Sequence, residues 1–372
     1  MARKLNDVRC IWSGELVTSN AKNILFTGGG SAGHVTPSFP LIQALKSKGA
    51  EIFYVGSKQG MERALINSLG VPYYAITTGK LRRYWSWQNF LTPFQLFFGI
   101  IQSFLLCRRF KPHIIFSKGG FVALPVVIGA WLNRIPVVIH ESDLTPGLAN
   151  RLSFPFARLI CVAFPTTAQY FKKTKKVLVT GIPIREGLFH GDRARGLKLC
   201  SFTEKKPVLL IMAGGLGSVD INDAIRRLLK LLLEQFQIVH LCGKGKKNFQ
   251  FEGIPSYRQF EYMQEELADV LACADLVISR AGATSIYELL ALKKPHILLP
   301  LSRHVSRGDQ IKNAAYFSQQ GLSSVLYSEE FSDESLLQII FDCYKNLAAM
   351  KNKLASFKRD DSTKMIVNEL II

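Results

Sequence analysis

Short apolar runs punctuate the first half of the chain: ILFT at 24–27, EIFYV at 51–55, VPYYAI at 71–76, HIIFS at 113–117, PVVIHE at 136–141, RLICVAF at 158–164 and KVLVTG at 176–181. Each is too short for a buried helix. Rich in β-branched and aromatic residues, they predict strands buried on both faces. The text between them is helical, as from Pro37 through Lys46. Such alternation predicts a mostly parallel sheet with helices on both faces. The pattern then restarts. LCSFTEKKP at 199–207 is loop-like, and PVLLIMAGGLGS at 207–218 is a strand entering a glycine loop. INDAIRRLLKLLLEQF predicts one helix, QIVHLCG, ADLVISRAGA and PHILLPL predict strands, and the chain from about 331 predicts two helices. The expectation is an α/β fold of two facing Rossmann-like doubly wound domains. Their functional loops then line a shared cleft at the carboxyl ends of the strands. Boundaries are expected at 22–185 and 186–350, with a terminal helix at 351–372 packing back on the first domain.

Composition changes this picture little. The 372 residues suit two domains. A formal charge of +19 draws the chain toward polyanions: nucleic acid, an anionic membrane face or a phosphorylated substrate. The basic residues are dispersed and no base-reading motif is present, so nucleic acid is not expected as a partner. Seven cysteines without a CxxC pair point to a reducing compartment and no structural zinc. Residues 1–21 lack the long apolar core of a secretory signal and are expected to be a poorly ordered extension.

No stretch resembles a clean spanning segment of about 20 apolar residues. The segment 79–111 is nevertheless unusual. Lys80, Arg82 and Arg83 precede Trp85, Trp87, Phe90, Phe94, Phe97 and Phe98, and Arg108, Arg109 and Lys111 follow. Basic ends around an aromatic middle suit an interfacial segment, with Trp85, Phe94, Phe97 and Phe98 facing a membrane. The alternative is a core helix. Gln88, Gln95 and Gln102 recur at helical spacing as a more polar stripe.

Candidate chemistry begins at TGGGSAGH, residues 27–34. Glycines there permit a sharp turn and close approach, and the N-terminus of the following helix would offer N–H groups to a diphosphate. Gly28, Gly30 and Gly33 match a dinucleotide spacing, but Gly56 and Ser57 end the second strand where a ribose-binding acid belongs. His34 either caps the helix start or exchanges a proton with a substrate hydroxyl. MAGGLGSVDIN repeats the device in the second half, with Gly214, Gly215 and Gly217. In SRAGATSIYELL, Thr284 or Ser285 is expected to cap a helix carrying Glu288 near its start. Glu288 is then either favourable first-turn charge or an acceptor for two adjacent ribose hydroxyls. Asp309 and Gln310 open a further helix at the cleft edge.

The motifs GGGSAGHVTP (28–37), GSKQGMERALI (56–66), GKLRRYWSWQNF (79–90), FSKGGFVALP (116–125), HESDLTPGLANR (140–151), TGIPIRE (180–186), SRAGATSIYELL and SRGDQIKNA occur in one order. From about residue 22 the chain thereby resembles the MurG family of bacterial cell-wall glycosyltransferases, glycosyltransferase family 28 with the GT-B fold. The resemblance implies an inverting enzyme that needs neither metal nor cofactor. It would move N-acetylglucosamine (GlcNAc) from UDP-GlcNAc to the C4 hydroxyl of the N-acetylmuramyl (MurNAc) residue of lipid I, giving lipid II. It also implies a peripheral position on the cytoplasmic face of the cell membrane, an anionic membrane surface as partner, and other cell-wall synthesis proteins as possible partners. By the same resemblance, Glu288 would hold the uridine ribose, and the backbone beside Met263 would frame the uracil. Arg185, Gly214, Gly215 and Gly217 would lie near the donor phosphates. Asp309 and Gln310 would read the GlcNAc hydroxyls, and Thr284 would be a further substrate-binding residue. Gly29, Gly30, Ser31 and Gly33 would take the acceptor diphosphate. His34 stands at the family's proposed catalytic position, with Asp143 and Glu141, and His140 in reserve, as other bases. Two departures stand out: Ala213 and Gly215 replace a glycine and a serine of the donor loop, and HESD replaces HExN. Another GT-B enzyme, a UDP-GlcNAc epimerase or a glycolipid glycosyltransferase, is the alternative.

Overall fold

The computed structural model describes residues 22–79, 88–171, 176–215 and 217–371. The extension at 1–21, Trp85 and Trp87 lie outside them. β1 (Asn23–Thr27), β2 (Glu51–Ser57), β3 (Tyr73–Ile76), β4 (Ile114–Ser117), β5 (Val137–Glu141), β6 (Leu159–Val162) and β7 (Lys176–Val179) form one sheet in the order β3-β2-β1-β4-β5-β6-β7. β8 (Val208–Met212), β9 (Gln237–Leu241), β10 (Tyr257–Phe260), β11 (Leu276–Ser279), β12 (His296–Leu298) and β13 (Ser324–Val325) form a second, in the order β10-β9-β8-β11-β12-β13. All of these pairs are parallel, as in β1 with β2 and β4, and β8 with β9 and β11. The central strands are mostly apolar, as suits strands covered by helices on both faces. In β1, Ile24 and Phe26 pack toward one helical layer and Leu25 toward the other. Each sheet reverses its strand order beside its first strand, and each glycine loop leaves that strand at the carboxyl edge.

Three local expectations are corrected. The single helix over 221–236 is two, Val219–Arg227 and Leu229–Gln235, parted by a turn at Leu228 with no glycine or proline to signal it. The end of the chain holds three helices, Asp333–Lys345, Leu347–Ala355 and Ser362–Ile371. β10 and β13 were not foreseen, for YRQF is a half-buried edge strand and Ser324–Val325 a two-residue one. The chain passes between the sheets through 180–192, and Ile366, Val367 and Leu370 of the last helix pack into the core around β1 and β2. Lys176 pairs with Glu369 at 2.8 Å beside it.

The helix Gln88–Phe110 departs from expectation in two ways. Its stretch Phe90–Phe110, of 21 residues and mean hydropathy 1.7, is long and apolar enough to cross a membrane, contrary to the expectation that no segment is. Of its polar stripe, Gln102 faces inward. It accepts from Thr77 N at 2.7 Å, and Asn133 donates to Phe104 O at 3.1 Å. These bonds fix one side to the domain, with the helix Ala123–Leu132 behind it. Phe94, Phe97 and Phe98 point outward and stay more than half exposed.

Candidate active site

The first glycine loop is held from below. Tyr54 on β2 donates to Gly28 O at 3.0 Å. Gly30 has a φ of +86°, and a Cβ there would lie 2.6 Å from the Phe121 ring, so only glycine fits. A 3-10 turn, Ala32–His34, follows. The N–H groups of Ser38 and Phe39 are bound by Val35 O and Thr36 O, at 2.9 and 3.1 Å, so the helix Ser38–Ser47 does not offer them to a ligand. His34 therefore caps no helix start. Its Nδ1 shares a 2.9 Å hydrogen bond with Ser31 Oγ.

The surroundings of His34 are cationic. Burial, then Lys118 and Arg307, push its imidazole down to about 3. Lys118 follows β4, is buried, and donates to Ser142 Oγ. Burial lowers its ammonium to about 8 against the opposing pull of Glu141 and Asp143.

The three acceptor-side alternatives separate cleanly. Glu141 is enclosed at the end of β5, and its carboxylate accepts from Asp143 N and Gly147 N at 3.0 Å each and from Asn150 Nδ2 at 2.9 Å. It organises the loop 141–150, with both oxygens already engaged by that loop. His140 lies wholly buried on β5, donates from Nε2 to Gly181 O at 2.8 Å and is likewise withdrawn from the cleft. Asp143 reaches across to the second sheet. It accepts from Asn313 Nδ2 at 3.1 Å and from Arg307 Nη2 at 3.2 Å. Leu144 N donates to Asn313 Oδ1 at 3.0 Å. Burial, then Glu141 and Asp309, push the Asp143 carboxyl up to about 6, with Asn313 and Arg307 opposing.

On the other side, Gly214 and Gly217 have φ of +82° and +65° and close a turn, Gly217 N to Gly214 O, at 2.9 Å. Arg280, at the end of β11, donates to Ser218 Oγ at 2.6 Å and to Leu299 O at 3.0 Å, holding a cation at this loop. Glu288 is the sixth residue of the helix Ala283–Ala291, whose N-cap is Gly282 with no side-chain cap. Neither Thr284 nor Ser285 caps it, and Glu288 is not first-turn charge. Instead its Oε1 pairs with Arg185 Nη2 at 3.2 Å. Burial raises the Glu288 carboxyl above its ordinary range, with Arg185 opposing. Met263 is buried in the core beside Ile184. Gln310 accepts from Leu301 N at 3.1 Å, and Asp309 lies 3.5 Å from Arg307. The two halves meet at the loops: a Cβ at Gly33 would lie 3.9 Å from Thr284 Oγ1.

Two family models match this arrangement, one sheet each: the glycosyltransferase family 28 N-terminal domain over residues 24–162, and the glycosyltransferase family 28 C-terminal domain over residues 208–366. The chain belongs to glycosyltransferase family 28. Relatives in the family include a Legionella pneumophila (strain Paris) protein, 52% identical over 93% of this chain and 95% of its own length. A Geobacillus thermodenitrificans protein is 52% identical over 90% of this chain and 94% of its own. Both are named UDP-N-acetylglucosamine--N-acetylmuramyl-(pentapeptide) pyrophosphoryl-undecaprenol N-acetylglucosamine transferase. Among solved structures, Acinetobacter baumannii MurG matches with a TM-score of 0.72 at 24% identity, covering 94% of this chain and 99% of that one. The calicheamicin glycosyltransferase CalG4 matches at 0.67 with 15% identity, covering 95% and 98%. At these identities the structures speak for the GT-B fold alone.

Within this family-28 frame, the structure brings four further residues to the candidate site. Lys118 stands inside FSKGG, Arg280 inside SRAGA, and Arg307 and Asn313 inside SRGDQIKNA. Each sits in a motif after a strand, which was the available signal. Their contacts reach into another loop or the opposite domain, which no local pattern contains.

Proposed function

We propose that the chain transfers GlcNAc from UDP-GlcNAc to the C4 hydroxyl of the MurNAc residue of lipid I, giving lipid II and UDP with inversion at the anomeric carbon. The supporting observation is identity of 52% over 93% of the chain to relatives bearing that activity in their names. The domain at 22–185 takes the acceptor, and that at 186–350 takes the donor. The segment 351–372 ties the second back to the first.

The acceptor diphosphate lies on Gly29, Gly30, Ser31 and Gly33, near Lys118. His34 is neutral at working pH, and its bond to Ser31 orients the ring. The imidazole takes the C4 hydroxyl proton as the oxygen attacks C1 of GlcNAc. The C1–oxygen bond to UDP breaks, and its electron pair leaves with UDP. Phosphate charge beside Lys118 and Arg307 offsets the cations that depress the imidazole, making it a stronger base once substrate is bound. Loop amides at 214–217, with Arg185 and Arg280, stabilise departing UDP. Glu288 exchanges Arg185 for the ribose hydroxyls as the donor enters. The aromatic face of Gln88–Phe110 rests on the anionic cytoplasmic membrane surface, where the lipid-linked acceptor resides.

The test is incubation of the purified chain with labelled UDP-GlcNAc and a lipid I analogue. Label entering the lipid, only when acceptor is present, is expected. Free sugar released from UDP-GlcNAc without a lipid would instead make the chain an epimerase-type enzyme.

A further inference from the structure

Glu62 is a carboxylate that the reaction above does not use. It begins the helix Glu62–Asn67 and is completely buried. One oxygen is satisfied: Oε1 accepts from Ser57 N at 3.0 Å and from Ser57 Oγ. The other, Oε2, has no hydrogen-bond partner, and among the described residues no cation pairs with the group. A buried unpaired carboxylate oxygen is costly, so its retention calls for a partner that arrives. Gly60 and Gly29 make room for the carboxylate itself: a Cβ at Gly60 would overlap both oxygens, and one at Gly29 would lie 2.7 Å from Oε1. Gly60 and Glu62 line a cavity of about 450 Å³ with Gly30, Met61, Ile76 and Phe121 among its walls.

That cavity shares Gly30 with the first glycine loop. A diphosphate on the loop would therefore stand at its edge, but Glu62 repels phosphate and offers nothing to a prenyl chain. The fitting ligand presents an N–H donor on an apolar body. We propose that the cavity is a subsite for the amide-bearing arm of the sugar acceptor, with Glu62 Oε2 accepting a hydrogen bond from an amide N–H. Met61, Ile76 and Phe121 pack its alkyl parts, and exposed Lys58 at the rim suits a carboxylate farther along the arm. This rests on the acceptor reading above.

The experiment compares the unaltered chain with Glu62→Gln on two lipid I analogues. One keeps its arm amides, and in the other the contacted amide N–H is replaced by an ester oxygen, each amide being tested in turn. Gln keeps an acceptor for Ser57 but loses the charge. The acceptor KM should rise about ten- to hundredfold on the amide substrate, the worth of one charge-assisted bond. On the ester substrate, variant and unaltered chain should be alike, and the KM for UDP-GlcNAc should not move. Equal losses on both substrates, or none on either, would overturn the subsite. Should Glu62→Gln not fold, Gln59→Trp at the exposed rim narrows the mouth without touching the core. It should raise KM for the armed acceptor and spare one whose arm is cut to a hydroxyl, and a flat response overturns the proposal. Absence of transfer by the unaltered chain strikes the proposed function itself, whereas activity indifferent to these changes strikes only the subsite.

Discussion

The acidic limb of the pH–rate profile should belong to Asp143 and not to His34. In the ligand-free chain His34 lies at about 3, so it is neutral at every pH where the protein is assayed. Asp143 lies at about 6, and ionised it holds Arg307 and Asn313 across the cleft. Protonation removes the charge from that bridge. At pH 5 a carboxyl of this pKa is ionised in about one molecule in eleven, against nearly all at pH 8. kcat/KM reports the free enzyme, so it should fall about tenfold from pH 8 to pH 5 if the ionised bridge is needed. The assay measures kcat/KM for the acceptor from pH 5 to 9 in the unaltered chain, His34→Ala and Asp143→Asn. His34→Ala should lose about 10²–10⁴ in maximal rate and keep the limb near 6, with little change in donor KM. Asp143→Asn should be slower at pH 8 and lose the limb. If the limb instead vanishes in His34→Ala and survives in Asp143→Asn, the imidazole titrates near 6 in the free enzyme. The cationic enclosure drawn for it would then be wrong.

Glu288→Gln should weaken UDP binding about ten- to hundredfold in calorimetry, because a charged acceptor is lost from a buried ribose site; an unchanged Kd removes Glu288 from that site. Gly215→Ser should fold normally, since a Cβ there would meet only the Tyr262 ring, at 3.9 Å. It should lower the KM for UDP-GlcNAc by up to about tenfold, the worth of one neutral hydrogen bond, and a flat or raised KM means the backbone amides already satisfy the phosphate. Replacing Phe94, Phe97 and Phe98 with serine should leave Tm nearly unchanged, as all three are exposed, and reduce cosedimentation with anionic vesicles about tenfold or more. Unchanged cosedimentation of the folded variant refutes the docking face, and a large drop in Tm shows that the three rings are core.

Strands such as ILFT and PVVIHE were legible because a strand buried on both faces is a short continuous apolar run, whatever its neighbours. The two glycine loops were legible because their φ angles admit few other residues. The same held for the family, whose motifs are local. The break at Leu228 and the edge strands β10 and β13 were not, since packing alone decides between a turn and a continued helix, or between a polar strand and a loop. The inward turn of Gln102 on Gln88–Phe110 was hidden for a related reason: periodicity reports that a helix has two faces, but not which face the domain takes. Above all, the chemistry of the site belongs to tertiary structure. Asp143 meets Arg307 and Asn313 from 164 and 170 positions away, and Glu288 meets Arg185 from 103. The sequence names the histidine and the carboxylates. Their protonation and partners come from the charges and the desolvation that folding assembles around them, because electrostatic energy depends on distance in space and not along the chain.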